Sequence, residues 1–128
     1  MKTRYTVAFT MLAGFGLGAV AVQGLHAQAK PPIYVITEID VSNVDAYARD
    51  YAPKAQAIIR ANGGRVLAAG QNVTPLEGEP PKRRVAVVAF DSMEKIQAWR
   101  NSTEFKDNRK TVEGQAKFRA FTVEGVSQ

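Results

Sequence analysis

The side chains best placed for chemistry are one carboxylate and one guanidinium near the ends of two predicted strands. Glu38 lies near the end of the first strand, and Arg84 opens the third. In the predicted order of elements these strands are antiparallel neighbours, so we expect the two groups to pair on the sheet face turned away from the helices. Two roles are weighed. The pair either sits at a wet rim and contributes about 0–1 kcal/mol, or it borders a cavity, where Glu38 would serve as a general base.

The residue types that are missing exclude several kinds of site. The chain has no cysteine, and its one histidine, His26, lies in an N-terminal segment with the pattern of a cleaved signal. The mature chain therefore lacks the imidazole and the thiol that Ser-His-Asp and Cys-His nucleophiles require. A zinc site would depend on carboxylates alone, which suit zinc poorly. We predict no metal and no cofactor.

Two tyrosines form a second candidate group, because phenols can donate hydrogen bonds inside a pocket. Tyr47 and Tyr51 are four residues apart on a helix whose apolar residues recur at helical spacing. This spacing favours the alternative interpretation, in which both rings belong to the core. Pro53 follows them, and its missing N–H predicts a kink or split near residues 50–52. The sequence Asn-Gly-Gly at 62–64 is expected to end that helix.

The elements that would position these residues follow from hydrophobic periodicity. The run 84–90 is rich in Val and Ala, which is typical of a strand buried on both faces. The other predicted strands cover residues 33–39, 65–69, 73–76 (a short edge strand) and 118–124. The predicted helix caps are Ser42, then Asp91 or Ser92, and finally Ser102, where the second helix breaks. The order β-α-β-β-α-β predicts a ferredoxin-like α+β sheet of four antiparallel strands with both helices on one face.

The second face of the predicted sheet also carries apolar residues. An exposed apolar sheet is rare on a soluble monomer, so we expect a homodimer in which this face meets its copy. The space between the two sheets would take a small apolar or aromatic ligand. The candidate residues on this face are Tyr34, Ile36, Glu38, Arg84, Val88 and Phe121.

The first 29 residues have the pattern of a cleavable export signal. Lys2 and Arg4 precede an apolar run over 7–22, and Ala27-Gln28-Ala29 supplies the small residues that signal peptidase requires. Cleavage is predicted after Ala29 or, as a second choice, after Ala27. An uncleaved anchor is the alternative, but the run is short and Gly-rich for a spanning helix. We therefore predict a periplasmic or secreted domain over 30–128 with no stable membrane anchor.

The charge balance excludes one class of partner. The chain has 17 Lys and Arg against 12 Asp and Glu, and removal of the signal takes away Lys2 and Arg4 but no acid. The basic residues are scattered, apart from the cluster at 82–84. A nucleic-acid-binding domain would show a denser basic stripe with interleaved aromatic residues. We predict no nucleic-acid partner.

Six short stretches, in order, resemble the family named domain of unknown function 1330 (DUF 1330). The stretches are Tyr34 to Val41, Ala46-Tyr47, Gly63-Gly64, Leu76-Glu77-Gly78, Arg84-x-x-Val-x-x-Phe90 and Ser102-x-Glu-Phe105. The resemblance covers roughly residues 33–126. It implies the dimeric α+β barrel superfamily, in which two ferredoxin-like sheets face each other around an enclosed space. Relatives there include small monooxygenases of antibiotic biosynthesis, haem-degrading enzymes and chlorite dismutase.

The departures from those relatives keep the activity unassigned. Haem-using relatives ligate iron with histidine, which the mature chain lacks. Cofactorless monooxygenases often use Asn, Trp or Tyr inside the barrel, whereas Trp99 and Asn101 are predicted on the helix side here. Two hypotheses remain. The first is a dimer that binds a small molecule or serves a structural role, and the second is a cofactor-independent oxygenase or isomerase acting inside the barrel.

Overall fold

The described part of the chain, residues 30–128 of a computed structural model, contains the predicted four-stranded antiparallel sheet. The predicted export signal, with its cleavage positions, lies outside the described residues. The strands are β1 (Ile33–Val41), β2 (Arg65–Gly70), β3 (Arg84–Phe90) and β4 (Ala116–Glu124). They pair in the order β2-β3-β1-β4, with β1 antiparallel to both β3 and β4. This is the ferredoxin-like arrangement, and it makes β1 a central strand with two neighbours.

The first helical segment is interrupted, as the proline predicts. It consists of α1 (Val44–Ala46), a π-helical turn (Tyr47–Tyr51) and α2 (Ala52–Ala61). Pro53 follows this turn and lies in the first turn of α2. The N–H of Ala52 still donates to the carbonyl of Tyr47, and Pro53 then lacks the N–H that would continue these helical hydrogen bonds. The wider π-turn just before it absorbs the irregularity. The predicted end is also confirmed, because Asn62 caps α2 and Gly63 adopts a φ of +85°.

The cap of this segment is Asn43 rather than the predicted Ser42. The side chain of Asn43 accepts a hydrogen bond from the backbone N–H of Ala46 at 3.0 Å. Ser42 instead donates its hydroxyl to the carbonyl of Gln115 at 3.0 Å. Ser42 therefore ties the end of β1 to the start of β4, and the cap moves one residue along the chain.

The second helical segment breaks where the sequence predicts. It consists of α3 (Met93–Asn101) and α4 (Thr103–Lys110). Ser92, one of the two predicted caps, accepts from the N–H of Lys95 at 3.2 Å. At the break, Ser102 donates to the carbonyl of Trp99 at 2.7 Å and accepts from the N–H of Phe105 at 3.2 Å. One hydroxyl thus closes α3 and starts α4.

The predicted edge strand over 73–76 is wrong. These residues lie outside any strand, in the long connection between β2 and β3. Prolines at 75, 80 and 81 interrupt this connection, and each proline removes a backbone donor that a strand ladder would need.

The strand register assigns each residue to a face, because residues directly opposite in antiparallel strands point the same way. Val35 lies opposite Val88, and Ile33 lies opposite Phe90, so all four share a face. That face lies against the helices: Phe90 is fully buried, and its ring stacks on Trp99 with centroids 5.1 Å apart. We call it the helix face. The buried core on it forms two clusters, one of Val35, Ile59, Val88, Phe90, Ile96 and Trp99, the other of Ile39, Tyr47, Tyr51 and Val112.

The predicted position of Val88 on the opposite face is therefore wrong. β3 is apolar in both phases of its alternation, so the alternation gives no information on its orientation. The largest side chain decides it: Phe90 fills the space under the helices, and Val88 must then point the same way.

Candidate functional site

The sheet face turned away from the helices, here called the outer face, is largely apolar. It is defined by the register: Ile36 lies opposite Val87 of β3 and Phe121 of β4, and Tyr34 lies opposite Ala89 and Val123. Phe121 and Val123 are 44% and 49% exposed, respectively. The outer-face positions predicted for Tyr34, Ile36, Glu38 and Phe121 are confirmed. Their roles in binding stay predictions.

Glu38 is the buried charge of the outer face. It is only 9% exposed, and both of its carboxylate oxygens accept hydrogen bonds. Oε1 accepts from the backbone N–H of Lys82 at 3.1 Å, and Oε2 accepts from Arg119. The bond from Arg119, followed by the bond from Lys82, lowers the pKa of the Glu38 carboxyl below its ordinary value. Glu38 is therefore an ionised anchor that holds the 71–83 connection and β4 to the centre of the sheet.

The predicted pairing of Glu38 with Arg84 is wrong. Arg84 lies opposite Ile39, so it belongs to the helix face, whereas Glu38 lies opposite Val85 and Arg119. The guanidinium of Arg84 instead lies 4.7 Å from the ring centroid of Tyr47. β1 has two neighbouring strands, and the partner of Glu38 lies on β4 rather than on β3. In addition, β3 has the opposite orientation to the predicted one, which turns Arg84 to the helix face.

An open cavity of about 650 Å³ lies on the outer face beside Glu38. Its floor is largely apolar and comes from all four strands, while one side is formed by the chain that follows β2. The lining residues are Ile36, Glu38, Ala68, Ala69, Gly70, Gln71, Asn72, Val73, Pro81, Val85 and Phe121. Of the predicted site residues it brings together Ile36, Glu38 and Phe121. It does not include Tyr34, Arg84 or Val88.

The two tyrosines of the first helical segment are core residues, as the helical spacing favours. Tyr47 is 4% exposed and Tyr51 is 6% exposed, and their ring centroids are 5.0 Å apart. Burial raises the pKa of the Tyr47 phenol to about 12, with a further contribution from Tyr51. Trp99 is also buried on the helix side, as expected, and Asn101 is exposed.

Sequence reasoning missed Arg119, Val85 and Val87. The signal for Arg119 is present in the sequence, because it alternates in phase with Phe121 and Val123 along β4. Once β1 is taken as a central strand, the residue opposite Glu38 on β4 becomes an obvious partner. Val85 and Val87 could not be assigned to a face without the orientation of β3.

Two kinds of feature are absent from residues 30–128. No group of three or more His, Cys, Asp or Glu side chains there could hold a metal ion. In the same range, no helix combines the length and hydropathy needed to cross a membrane.

Comparison with solved structures finds proteins of the same fold at low sequence identity. A protein of unknown function from Rhodopseudomonas palustris is 17% identical, covers 86% of this chain and 94% of its own, and has a TM-score of 0.58. A protein from Bacteroides fragilis, described as dimeric, of unknown function and with a ferredoxin-like fold, is 10% identical, with 73% and 96% covered and a TM-score of 0.52. SnoaB, a cofactor-independent oxygenase from Streptomyces nogalater, is 6% identical, with 77% and 96% covered and a TM-score of 0.57. At these identities the similarity shows the fold alone.

Comparison with curated proteins finds no match. Comparison with protein families matches residues 32–126 to the family described as Domain of unknown function (DUF1330). The match spans nearly all of the described residues and includes every strand and helix. The chain therefore belongs to the DUF1330 family, whose function is unassigned, and it has the ferredoxin-like α+β fold.

Proposed function

We propose that the chain forms a homodimer through its outer face, and that the dimer holds a small apolar or aromatic molecule in the cavity beside Glu38. The observation that carries this proposal is the apolar surface of the outer face. Phe121 and Val123 are about half exposed there, next to the partly buried Ile36, Val85 and Val87. A contiguous apolar patch of this kind is typical of an interaction surface.

A second copy of the chain is the partner that this surface fits best. A flat sheet face can pack against its own copy about a two-fold axis, which buries the same residues on both sides. The Bacteroides fragilis protein of the same fold is described as dimeric, which supports this choice of partner. Packing of the two sheets would also close the open side of the cavity.

The lining of the cavity defines the ligand class. Its volume of about 650 Å³ falls in the usual range of about 300–1,000 Å³ for small-molecule sites. Ile36, Val85 and Phe121 provide apolar contacts, and Gln71 and Asn72 provide amide groups at one side. These groups suit a small apolar or aromatic molecule with one hydrogen-bonding substituent.

The state of Glu38 favours binding over proton abstraction. A general base needs an available carboxylate oxygen and a pKa near the working pH. Both oxygens of Glu38 already accept hydrogen bonds, and its pKa is lowered, which makes it a poorer proton acceptor. A cofactor-independent oxygenase or isomerase, the activity class that the similarity to SnoaB suggests, could therefore not use Glu38 as its base in this state.

The pattern of residues 1–29 supports a place for this dimer outside the cytoplasm. We propose that the chain is exported to the periplasm or secreted, and that it is cleaved after Ala29 or Ala27. N-terminal sequencing of the protein from a periplasmic fraction tests this. A chain that retains residues 1–26 in that fraction would contradict it.

Retention of a small molecule in the cavity is tested by native mass spectrometry of protein purified from its own host. We expect a dimer that carries a small apolar or aromatic molecule. Ala68→Trp places an indole in the cavity and should abolish retention, whereas Ala57→Trp, at an exposed position of α2, should leave it unchanged. Wild-type protein without a retained molecule, or equal retention in both variants, would contradict the binding proposal.

A further inference from the structure

An open groove lies between α3 and β4, at one edge of the sheet. Its volume is about 330 Å³. The register assigns Ala120 and Thr122 of β4 to the helix face, because they lie opposite Thr37 and Val35 of β1. Both residues are nevertheless exposed, and both line the groove. The helices therefore leave this part of β4 uncovered.

The groove combines apolar side chains with a basic one. Val35 and Ile96 line it and are at most 3% exposed, and Met93 of α3 lines it and is 42% exposed. Arg100 lines it as well, and its guanidinium has no carboxylate within 4.0 Å among residues 30–128. Such a groove fits an apolar side chain that has acidic neighbours.

The 71–83 connection carries a side chain of this kind. Leu76 lies in it and is 95% exposed. Glu77 follows Leu76 directly, and Glu79 lies two residues further on. Neither carboxylate has a Lys or Arg nitrogen within 4.0 Å in the described range. A leucine exposed to this extent contributes no burial to a single chain, so its contact with an apolar groove would be favourable.

The groove and the 71–83 connection both border the outer face, where we propose that two copies pack. Gln71 and Val73 of the connection line the cavity beside Glu38, and Phe121 lines both that cavity and the groove. The connection starts at β2 and the groove lies at β4, which are the two edge strands of the sheet. A two-fold axis parallel to the strands places the β2 edge of one copy over the β4 edge of the other.

The connection is long enough to pass from one copy to the other. The faces of two packed sheets lie about 10 Å apart, whereas residues 71–76 span up to about 20 Å when they are extended. Pro75 fixes its own φ and disfavours helical conformations at Thr74. The segment before Leu76 is therefore already restricted, which lowers the entropy that it loses on binding.

We propose that the 71–83 connection of each copy binds in the groove between α3 and β4 of the other copy. Leu76 contacts Met93 and Ile96 of the partner copy, and the acidic side chains at 77 and 79 lie beside its Arg100. This inference rests on the dimer of the proposed function and adds an exchange of segments to it. Because one chain carries both the leucine with its acidic neighbours and the groove with its arginine, a two-fold dimer makes the contact twice.

Charge reversal tests the acidic part of the contact. Arg100→Glu should raise the Kd of the dimer about fivefold, because it replaces an attraction across the interface by a repulsion. Addition of Glu77→Lys and Glu79→Lys to the same chain should restore the Kd to within about twofold of wild type. Sedimentation equilibrium over a range of concentrations measures each value. A triple variant that is no tighter than Arg100→Glu alone would overturn the proposal.

Disulfide cross-linking tests the exchange directly, because the chain has no cysteine of its own. Pro75→Cys places a thiol next to Leu76, and Gln97→Cys places one in the groove, at an exposed position of α3. The two single variants of residues 30–128 are refolded together and oxidised. We expect a covalent dimer from the mixture and none from either variant alone. In the control, Ala57→Cys on the exposed side of α2 replaces Gln97→Cys and should give no covalent dimer.

Sedimentation equilibrium of the same mixture before oxidation separates this inference from the proposed function. A mixture with the mass of a dimer but without cross-linking would overturn the exchange of segments and leave the outer-face dimer intact. Equal cross-linking with Ala57→Cys would overturn the exchange in the same way. A mixture with the mass of one chain would overturn the dimer itself, and the exchange with it.

Discussion

The two faces of the sheet are built from similar residues but are covered differently. On the helix face, Val35, Val88 and Phe90 are at most 3% exposed. On the outer face, Phe121 and Val123 of β4 are about half exposed. One face is thus covered by the helices, and the other is left open in residues 30–128, where we propose that a second copy packs. An apolar composition shows that a face needs cover, but it does not show which molecule supplies it.

The charged groups of the two faces differ in the same way. On the helix face, Arg84 lies over the ring of Tyr47, at the start of β3. On the outer face, Glu38 is bound by Lys82 and Arg119 from two different parts of the chain. On the helix face, the charge of Arg84 lies at the edge of a core that the helices already cover. On the outer face, the charge of Glu38 holds together a surface that residues 30–128 leave open.

The largest effect is expected where the core is complete. Phe90→Ala should lower the free energy of unfolding by about 3–5 kcal/mol, because it removes a fully buried ring and leaves a cavity. Urea denaturation measures this loss. Phe121→Ala makes the same deletion on the outer face and should destabilise the monomer much less at low protein concentration. Equal losses would contradict the contrast between the two faces.

A smaller loss is expected from overpacking the same core. A Cβ added at Gly64 would lie 2.6 Å from Cγ2 of Ile59 and 2.6 Å from Cζ of Phe90. Gly64→Ala should therefore lower the free energy of unfolding by about 1–3 kcal/mol. The penalty should shrink in a Phe90→Leu background, where the ring is absent, and a double-mutant cycle measures the coupling. The same penalty in both backgrounds would show that the contact is not the cause.

The stability of the folded protein should fall in acid, and part of this fall should depend on Glu38 of the outer face. Its pKa is lowered from the ordinary value of 4.5, so its stabilising contribution is present above that pH and is lost as the pH falls below it. Wild type should therefore be more stable than Glu38→Gln at pH 7, and the difference should vanish in acid. Glu77→Gln, on the exposed connection after β2, is the control and should show no such convergence. A difference that stays constant with pH would contradict the role of the ionised carboxylate.

The stability of the folded protein should also fall at high pH, because of Tyr47 on the helix face. This is the smallest effect that we expect. The pKa of Tyr47 is raised from 10.0 to about 12, so the unfolded chain loses this proton before the folded chain does. Stability contributed by the neutral phenol is complete below pH 10 and is lost as the pH rises towards 12. Tyr47→Phe should lack this loss, which thermal unfolding between pH 9 and 12 would measure. Parallel curves for the two proteins would contradict the burial of the phenol.

Much of this fold can be predicted because local and periodic signals agree. The predicted bounds of β3 match the observed ones, and the break at Ser102 is placed correctly, since a serine hydroxyl between two apolar stripes is a strong local signal. The irregularity before Pro53 follows from the chemistry of proline alone. The predicted cap at Ser42 is one residue away from the observed cap at Asn43, because serine and asparagine are both common N-cap residues and the sequence places them side by side.

The candidate site is less predictable, because it depends on long-range pairing. The orientation of β3 is set by whether Phe90 or its neighbours lie under the helices, and alternation cannot decide this in a strand that is apolar throughout. The partner of Glu38 lies 81 residues along the chain, on β4.

The most direct test of the two-face account is the mass of the protein in solution. Sedimentation equilibrium of residues 30–128 at micromolar concentration should give twice the mass of one chain. Val87→Asp places a carboxylate at the centre of the outer face and should give the mass of one folded chain, whereas Ala57→Asp, on the exposed side of α2, should remain a dimer. A wild-type monomer without aggregation, or a Val87→Asp dimer, would contradict the claim that the outer face is completed by a second copy.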